Sequence, residues 1–292
     1  MNTMEQLTKD TNILIVGLGV IGGGYAQALT KRGYTVRCIT KEQKDIDYAM
    51  ARGMIASGTT VVDPTLVGEA DLIVFALYPH IFIEWIKQYQ HLFKAGALIT
   101  DVTGVKGGVV ETVQSILRPD VEFIAAHPMA GRERSGVEYS DDGVFKGANF
   151  IITPTEKNTD RAIEISRRLG EELGFARIST LAPREHDEMI AFLSQLTHCI
   201  AVTLMTCNDS PSLQEYTGDS FRDLTRIAKI NDAMWSELFL LNREALLRQM
   251  DCFAAEFNRF RSMLAEGDTE GMREVMRHST ARRALFDKPA QS

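Results

Sequence analysis

A glycine-rich segment directly after the first apolar run has the residue types and spacing to bind a phosphate. The run that ends at Val16 leads into Gly17-Leu18-Gly19-Val20-Ile21-Gly22, and a helical stretch follows as far as Gly33. In such a turn the first glycine allows the tight bend, the second lets the backbone approach a pyrophosphate, and the third lets helix and strand pack closely. The helix N-terminus then offers free N–H donors and a positive dipole end. The segment therefore predicts a dinucleotide site, with a purely structural glycine turn as the alternative.

The end of the second apolar run bears on which dinucleotide would bind. A site for NAD usually places an acidic residue there to hold the ribose 2′-hydroxyl. This chain has Thr40 and Lys41 instead, with Arg37 on the run itself. A hydroxyl donor and a positive charge suit a 2′-phosphate, so we predict that NADP is preferred over NAD. The alternative is that Lys41 is an ordinary solvated lysine.

Two more apolar runs end in residues placed to meet such a cofactor. Leu77 and Tyr78 follow one run, and Asp101 ends the next, with Lys106 five residues later. Ligands of open α/β sheets bind at the carboxyl ends of the strands. We therefore predict that Leu77, Tyr78 and Asp101 contact the cofactor; the Asp101 and Lys106 pair is equally consistent with a helix cap and a surface charge.

His127 is the best candidate for acid–base chemistry. It ends another apolar run and is fixed by Pro128. A histidine at that edge of a sheet suits a general base near neutral pH, against the alternative of a structural histidine. His198 lies on an otherwise apolar helix, where a core role is the commoner one. Arg226 belongs to an amphipathic segment, and its fork of donors suits a carboxylate, although spacing alone leaves a surface role open.

The elements that must position these residues divide the chain in two. Short apolar runs alternate with helical stretches as far as about residue 152, which is the βαβ pattern of a parallel sheet. One more helix, near 160–173, and a short strand near 176–180 follow, and after Pro183 only helical patterns remain. We predict an α/β Rossmann-type N-terminal domain (1–182) followed by an all-α C-terminal domain (183–292).

The C-terminal helices predict self-association. Apolar residues recur at helical spacing without proline from Asn231 to Glu266, which predicts one helix of about 50 Å. That length exceeds what a domain of this size can cover. We therefore expect a homodimer formed through the C-terminal helices.

Composition narrows the classes of protein. Asp and Glu number 39 against 32 Lys and Arg, and the net charge is −7. That charge disfavours nucleic acid and anionic membranes as partners, and with no apolar leader we expect a cytoplasmic protein that binds a small-molecule substrate. The cysteines lack metal-ligand spacing, so we expect no metal and reduced, buried or half-buried thiols. For His91, His186 and His278 we expect solvated or capping roles.

Together these residues resemble the prephenate and arogenate dehydrogenase family of tyrosine biosynthesis. The resemblance runs from Ile13 through the long C-terminal helix. It rests on His127-Pro128-Met129-Ala130-Gly131 with Ser135-Gly136, on Thr153-Pro154, on Ser194 and His198, and on Phe221, Asp223, Thr225, Arg226, Ile227 and Trp235 in order. It implies oxidative decarboxylation of prephenate or arogenate with hydride transfer to NAD(P). From the lengths of chain on either side of the matched segments, we expect a bare dehydrogenase without a chorismate mutase segment or a regulatory ACT domain.

The resemblance also implies roles for individual residues. His127 matches the histidine that accepts the proton of the substrate's ring hydroxyl, and His198 matches a second histidine of the pocket. Arg226 matches the arginine that binds a substrate carboxylate. Asp223 and Trp235 match family residues that support the region around this arginine. Glu133 falls in the loop over the substrate entrance.

One position departs from the family pattern. Where the family has a serine that contacts substrate and nicotinamide, this chain has Gly104, and Thr103 beside it would point the other way on a regular strand. Both remain candidate substrate contacts. The alternatives to a dehydrogenase of this family are a 3-hydroxyacid or imine reductase and a catalytically weak protein that senses the nucleotide.

Overall fold

The N-terminal part of the chain is built on a six-stranded parallel sheet. The computed structural model describes residues 4–131, 134 and 136–287. The strands of this sheet are β1 (Ile13–Val16), β2 (Val36–Ile39), β3 (Ser57–Thr59), β4 (Leu72–Phe75), β5 (Leu98–Asp101) and β6 (Glu122–Phe123). Their order is β3-β2-β1-β4-β5-β6, that of a dinucleotide-binding Rossmann sheet. β3 was not predicted, because Ser57–Thr59 contains no apolar residue.

Both faces of this sheet are covered, which explains the continuous apolar runs of its strands. Ile13 and Ile15 belong to one buried cluster, whereas Leu14 and Val16 belong to the other. This is the two-residue period of a strand buried on both sides. The helices of this part are α1 (Val20–Lys31), α2 (Gln43–Ala51), α3 (Pro64–Glu69), α4 (Pro79–Tyr89), α5 (Gly107–Ile116) and α6 (Asp160–Leu173).

A second, three-stranded sheet carries His127. Its strands are β7 (Ala125–Pro128), β8 (Asn149–Thr153) and β9 (Arg177–Thr180). β7 pairs antiparallel with β8, and β8 pairs parallel with β9. The apolar run that ends at His127 therefore forms two strands and not one: the chain leaves the main sheet after Phe123 and enters the second one at Ala125. His127 faces Ile151 in this sheet's register.

Helices make up the remainder, so the predicted fold class is confirmed. They are α7 (Pro183–Ile190), α8 (Thr197–Thr206), α9 (Asp219–Thr225), α10 (Asp232–Leu241), α11 (Arg243–Glu266) and α12 (Thr269–Ala284). A π-helical segment, Ala191–Leu196, joins α7 to α8. Among the described residues, the stretch Pro183–Thr206 alone is long and apolar enough to cross a membrane by length and composition, and core helices pass the same test.

The prediction of one helix from Asn231 to Glu266 is wrong. The helix is interrupted at Asn242, which is buried and separates α10 from α11. Its side-chain Nδ2 donates to the backbone oxygen of Asp187 at 2.9 Å and to Gln195 Oε1 at 2.8 Å. These contacts hold Asn242 outside helical geometry. The chain divides into two compact units, 1–243 and 244–292, and the domain boundary at 182/183 stays a prediction.

Candidate active site

The glycine turn after β1 has the shape that a pyrophosphate needs. Gly17 has φ +97°, and a Cβ there would lie 2.4 Å from the backbone oxygen of Ala76. A Cβ at Gly22 would lie 2.1 Å from the oxygen of Gly17, so α1 packs directly on the turn. At Gly19, by contrast, a Cβ would meet nothing within 4 Å, and no side chain caps α1 there. The turn therefore leaves open space in front of the N-terminus of α1, where helix N–H groups can bind a dinucleotide phosphate.

The end of β2 lies beside this turn. Thr40 Oγ1 accepts a hydrogen bond from the backbone N–H of Leu18 at 3.3 Å, which leaves its own hydroxyl hydrogen available to a ligand. Lys41 is exposed. Arg37, by contrast, donates to Glu69 at 2.8 Å, so its charge is already partnered. Thr40 and Lys41 are the two residues here that could hold a 2′-phosphate.

The residues after β4 border both the glycine turn and the helical part. Leu77 Cδ2 would lie 2.9 Å from a Cβ at Gly17. The hydroxyl of Tyr78 accepts a hydrogen bond from Asn231 Nδ2 at 3.2 Å, and the backbone N–H and Nδ1 of His80 both contact the carboxylate of Glu237, each at 2.7 Å. The N-terminus of α4 is thus tied to α10.

Asp101 and Lys106 form a buried ion pair at the end of β5. Lys106 Nζ lies 2.7 Å from Asp101 Oδ2 and donates to the backbone oxygen of Ala126 at 2.6 Å and to Thr103 Oγ1 at 3.2 Å. Burial lowers the pKa of Lys106, and Asp101 opposes that shift. Both side chains have zero exposure, so the alternative of a cap and a surface charge is wrong for this pair.

The burial of this pair also changes the roles predicted for Asp101 and Thr103. The carboxylate of Asp101 is bonded to Lys106, to the Thr103 side chain and to the backbone N–H of Ala126. The Thr103 hydroxyl is turned inward, as expected for a residue that points away from Gly104. Neither side chain is open to a ligand in this arrangement. Their contacts instead fasten the end of β5 to the residue that precedes His127.

His127 belongs to a row of three side chains. Its Nδ1 lies 2.8 Å from Nε2 of His186, and Nδ1 of His186 lies 2.8 Å from Oδ1 of Asp187. Burial lowers the pKa of His127 well below its ordinary value, and His186 and Lys106 add to the shift. Burial also lowers the pKa of His186, although its hydrogen bond to Asp187 acts in the opposite direction. Both rings are therefore neutral at neutral pH, and a neutral imidazole can accept a proton.

The other ring nitrogen of His127 faces Gly104. A Cβ at Gly104 would lie 3.9 Å from His127 Nε2 and 3.7 Å from Leu238 Cδ1. Its φ lies outside the left-handed range, so the turn does not require glycine. A serine at this position would therefore have its side chain beside His127 Nε2.

His198 and the residues predicted around it lie on α8, α9 and α10. The His198 ring stacks on Trp235, with ring centroids 3.7 Å apart, and His198 Nδ1 contacts the backbone oxygen of Ser194 at 2.8 Å. Trp235 and Leu238 are one turn apart on α10. Because Leu238 lies beside Gly104, the His198 and Trp235 rings are close to that turn. The short turn that begins at Arg226 packs on α8.

The remaining predictions here have mixed outcomes. Asp223 is exposed on α9, and Glu133 lies outside the described residues. Cys207 and Cys252 are exposed, against the expectation of buried or half-buried thiols, whereas Cys38 is buried and Cys199 is half-buried. No cluster of metal-ligating side chains occurs among the described residues.

Two residues of the site were missed from the sequence. His186 was expected to be solvated or a helix cap, but its side chain has zero exposure, and Asp187 is also buried. The available signal was a His-Asp pair at the start of the first helix after Pro183. Because the pair is adjacent to His127 only through tertiary packing, spacing along the chain could not connect them.

The comparisons with known proteins identify the family. The family model of the prephenate dehydrogenase nucleotide-binding domain matches residues 25–179, and that of the prephenate dehydrogenase dimerization domain matches residues 182–278. Prephenate dehydrogenase of Bacillus subtilis is 30% identical, over 92% of this chain and 74% of that protein. Cyclohexadienyl dehydrogenase of Zymomonas mobilis is 30% identical, over 96% of this chain and 97% of that protein.

A solved structure shows the same fold. Prephenate dehydrogenase of Aquifex aeolicus, in complex with hydroxyphenyl propionate and NAD+, superimposes with a TM-score of 0.88 at 30% identity, and the match covers 96% of this chain and 99% of that one. Two domain models in the expected order, relatives over nearly the full length and a matching structure lead to one conclusion. The chain belongs to the prephenate dehydrogenase family.

Proposed function

We propose that this protein catalyses the oxidative decarboxylation of a cyclohexadienol, with prephenate giving 4-hydroxyphenylpyruvate or arogenate giving tyrosine. The observation that carries the proposal is His127, a partly exposed, neutral imidazole whose Nε2 faces the turn at Gly104, after β5. In a Rossmann sheet this edge adjoins the bound cofactor. With both family domains matched, the hydroxyacid or imine reductase alternative lacks comparable support.

The chemistry divides between the cofactor and the protein. A bound nicotinamide supplies the acceptor for the hydride that leaves the ring carbon bearing the hydroxyl. His127 accepts the hydroxyl proton at Nε2 as the carbonyl forms. The ring carboxylate then leaves as CO2, its bonding electrons complete the aromatic ring, and the former carbonyl oxygen takes a proton back to become the phenol hydroxyl. The protein's own contribution is to orient the substrate and to hold the base in its neutral form.

Substrate recognition is proposed for the helical part. Arg226 suits a substrate carboxylate because its planar fork can donate two parallel hydrogen bonds. The stacked rings of His198 and Trp235 would form a wall of the pocket, with Asp223 and Glu133 as further neighbours. Arg226→Ala should raise KM more than it lowers kcat, because a carboxylate contact is present in both ground and transition states. An unchanged KM with a collapsed kcat would assign Arg226 to the chemistry instead.

For the cofactor we propose NADP in preference to NAD. Thr40 keeps a hydroxyl hydrogen for a phosphate, Lys41 supplies a charge, and no acidic residue stands at that position. A partly exposed contact of this kind is worth on the order of 1 to 2 kcal/mol, or about fivefold to thirtyfold in affinity. NADP should therefore lead in kcat/KM for the wild type, and NAD should lead for Thr40→Asp. A lead of NAD by more than about tenfold in the wild type would contradict this assignment.

The assembly and location follow from the same reasoning. We propose a homodimer through the C-terminal helices, acting on a small molecule in the cytoplasm, without nucleic acid or membrane as a partner. The match to a dimerization domain supports the first of these.

The experiment is a direct assay. Purified protein is mixed with NADP or NAD and with prephenate or arogenate, and reduced nicotinamide is followed by absorbance while the aromatic product is identified by chromatography. We expect turnover with at least one of the two substrates and stoichiometric release of CO2. Cofactor binding without turnover of either substrate would instead favour a nucleotide-sensing protein.

A further inference from the structure

The carboxylate of Asp187 contacts His186, and His186 in turn contacts His127. Two backbone N–H groups donate to the Asp187 carboxylate: Oδ1 accepts from that of Lys106 at 2.8 Å, and Oδ2 accepts from that of Gly107 at 2.7 Å. Lys106 is the N-cap residue of α5, and Gly107 is the first residue of that helix. The Asp187 carboxylate therefore caps α5 from another part of the chain. Its orientation is therefore fixed by backbone. The remaining contact of Oδ1 is Nδ1 of His186.

This arrangement determines where the proton of His186 lies. The carboxylate can only accept, so Nδ1 of His186 must carry a hydrogen. His186 is fully buried, and burial disfavours a second proton. Its Nε2 therefore has a lone pair and no hydrogen.

The same reasoning extends one ring further. His186 Nε2 lies 2.8 Å from Nδ1 of His127, and two lone pairs cannot face each other at that distance. Nδ1 of His127 must therefore donate, and a neutral His127 then has no hydrogen on Nε2. That nitrogen is the one that faces Gly104.

We infer that His186 and Asp187 are positioning residues, which keep His127 in the tautomer with its proton on Nδ1 and its lone pair directed at the substrate. This inference rests on the proposed function only in assigning the lone pair to a substrate hydroxyl. Without the row, a neutral histidine would exchange between two tautomers, and one of them has no base at Nε2. The row also leaves His127 donating to His186 after it takes up the substrate proton, with a carboxylate one ring away to balance the new charge.

The tautomer can be measured without any turnover. Long-range proton–nitrogen NMR on protein labelled with 15N at histidine separates protonated from unprotonated ring nitrogens, and His127→Asn and His186→Gln identify the two signal sets. We expect Nε2 of His127 and Nε2 of His186 both to be unprotonated at pH 7.5. A protonated Nε2 on His127 would overturn the inference, whether or not the enzyme turns over prephenate. The predicted tautomer in a protein inactive on both substrates would instead contradict the proposed function alone.

Matched variants test the consequence for catalysis. In Asp187→Asn an amide hydrogen must face either His186, which reverses the tautomer, or a backbone N–H of α5, which displaces the side chain from His186. In either case kcat should fall about 100-fold or more while KM changes little. His186→Gln keeps an acceptor oxygen near the lost Nε2, whereas His186→Leu keeps neither donor nor acceptor. We expect the Gln variant to retain at least tenfold more kcat than the Leu variant at equal thermal stability. Equal kcat in the two would overturn the positioning role, and if the Leu variant does not fold, the wild-type spectrum decides.

Discussion

At the scale of single residues, the neutral state of His127 has a direct consequence for pH dependence. The base must be unprotonated to act, and burial lowers the pKa of His127 well below 6.5, with His186 and Lys106 acting in the same direction. We therefore expect kcat/KM to be flat between about pH 6.5 and 8 and to fall only below that range. A pH–rate profile at constant ionic strength checks this. An acidic limb centred at or above pH 7 would contradict the assignment of His127.

Protein stability over the same pH range provides the control. The folded protein keeps His127 and His186 neutral, whereas the unfolded chain binds protons at both near pH 6.5. Protons thus favour the unfolded state, and the stability from these two groups is lost as pH falls below about 6.5. Thermal melting at each pH separates loss of the base from loss of the fold.

Gly104 is the second residue-scale feature that can be tested. Because a Cβ there meets only ordinary van der Waals contacts, we expect Gly104→Ser and Gly104→Ala to change the free energy of unfolding by less than about 1 kcal/mol. The serine hydroxyl would lie beside His127 Nε2, so the serine variant should equal or exceed the wild type in kcat, and the alanine variant serves as the steric control. A large loss of stability in both variants would contradict the geometry of this turn.

The sequence could identify a residue with a role in chemistry only where local pattern indicates that role. His127 could be recognised because it ends an apolar run before a proline. His186 could not, since it meets His127 on β7 only through tertiary packing, and its other partner, Asp187, is held by the start of α5. Nothing in a single sequence reports that packing. Asp101 and Lys106 were recognised as a pair, but their burial, which decides their role, depends on β7 lying over them.

At the scale of elements, α1 depends on glycines for a reason other than the cofactor. A Cβ at Gly24 would lie 2.9 Å from Cζ of Phe145, whose ring packs edge-on against Tyr25. Gly24→Ala should therefore destabilise the protein by about 1 to 3 kcal/mol, because the aromatic core must shift. Chemical denaturation measures the change. Gly108→Ala, on α5 with open space around it, is the matched control and should be neutral or slightly stabilising.

The elements that sequence could place are those with local start and stop signals. α6 has the predicted bounds, Asp160–Leu173, because Thr159 caps its start and Gly174 ends it in the left-handed conformation. No such local signal marks the interruption between α10 and α11 at Asn242 or the change of sheet between β6 and β7. Both depend on hydrogen bonds to residues distant in sequence, which periodicity does not register.

At the scale of the whole molecule, several large apolar side chains of the helices are exposed. Phe192, Leu240 and Phe257 are 52%, 69% and 65% exposed, and they lie on three different helical segments. Exposed apolar patches beyond a few hundred Å² are uncommon on monomers and mark interfaces. We expect light scattering at micromolar concentration to give about twice the 32.6 kDa mass of the chain. A monomer under those conditions would contradict the proposed homodimer.

The central claim is that His127 is the base in a prephenate or arogenate dehydrogenase, and the turnover of His127→Ala tests it most directly. The measurement is kcat with the preferred substrate and cofactor, for the variant and the wild type at pH 7.5, with cofactor affinity and melting temperature measured on both proteins. We predict a loss of about 10²- to 10⁴-fold in kcat, the range expected for removal of a general base, with cofactor affinity and fold retained. Turnover equal to that of the wild type in a folded variant that binds the cofactor would contradict the account.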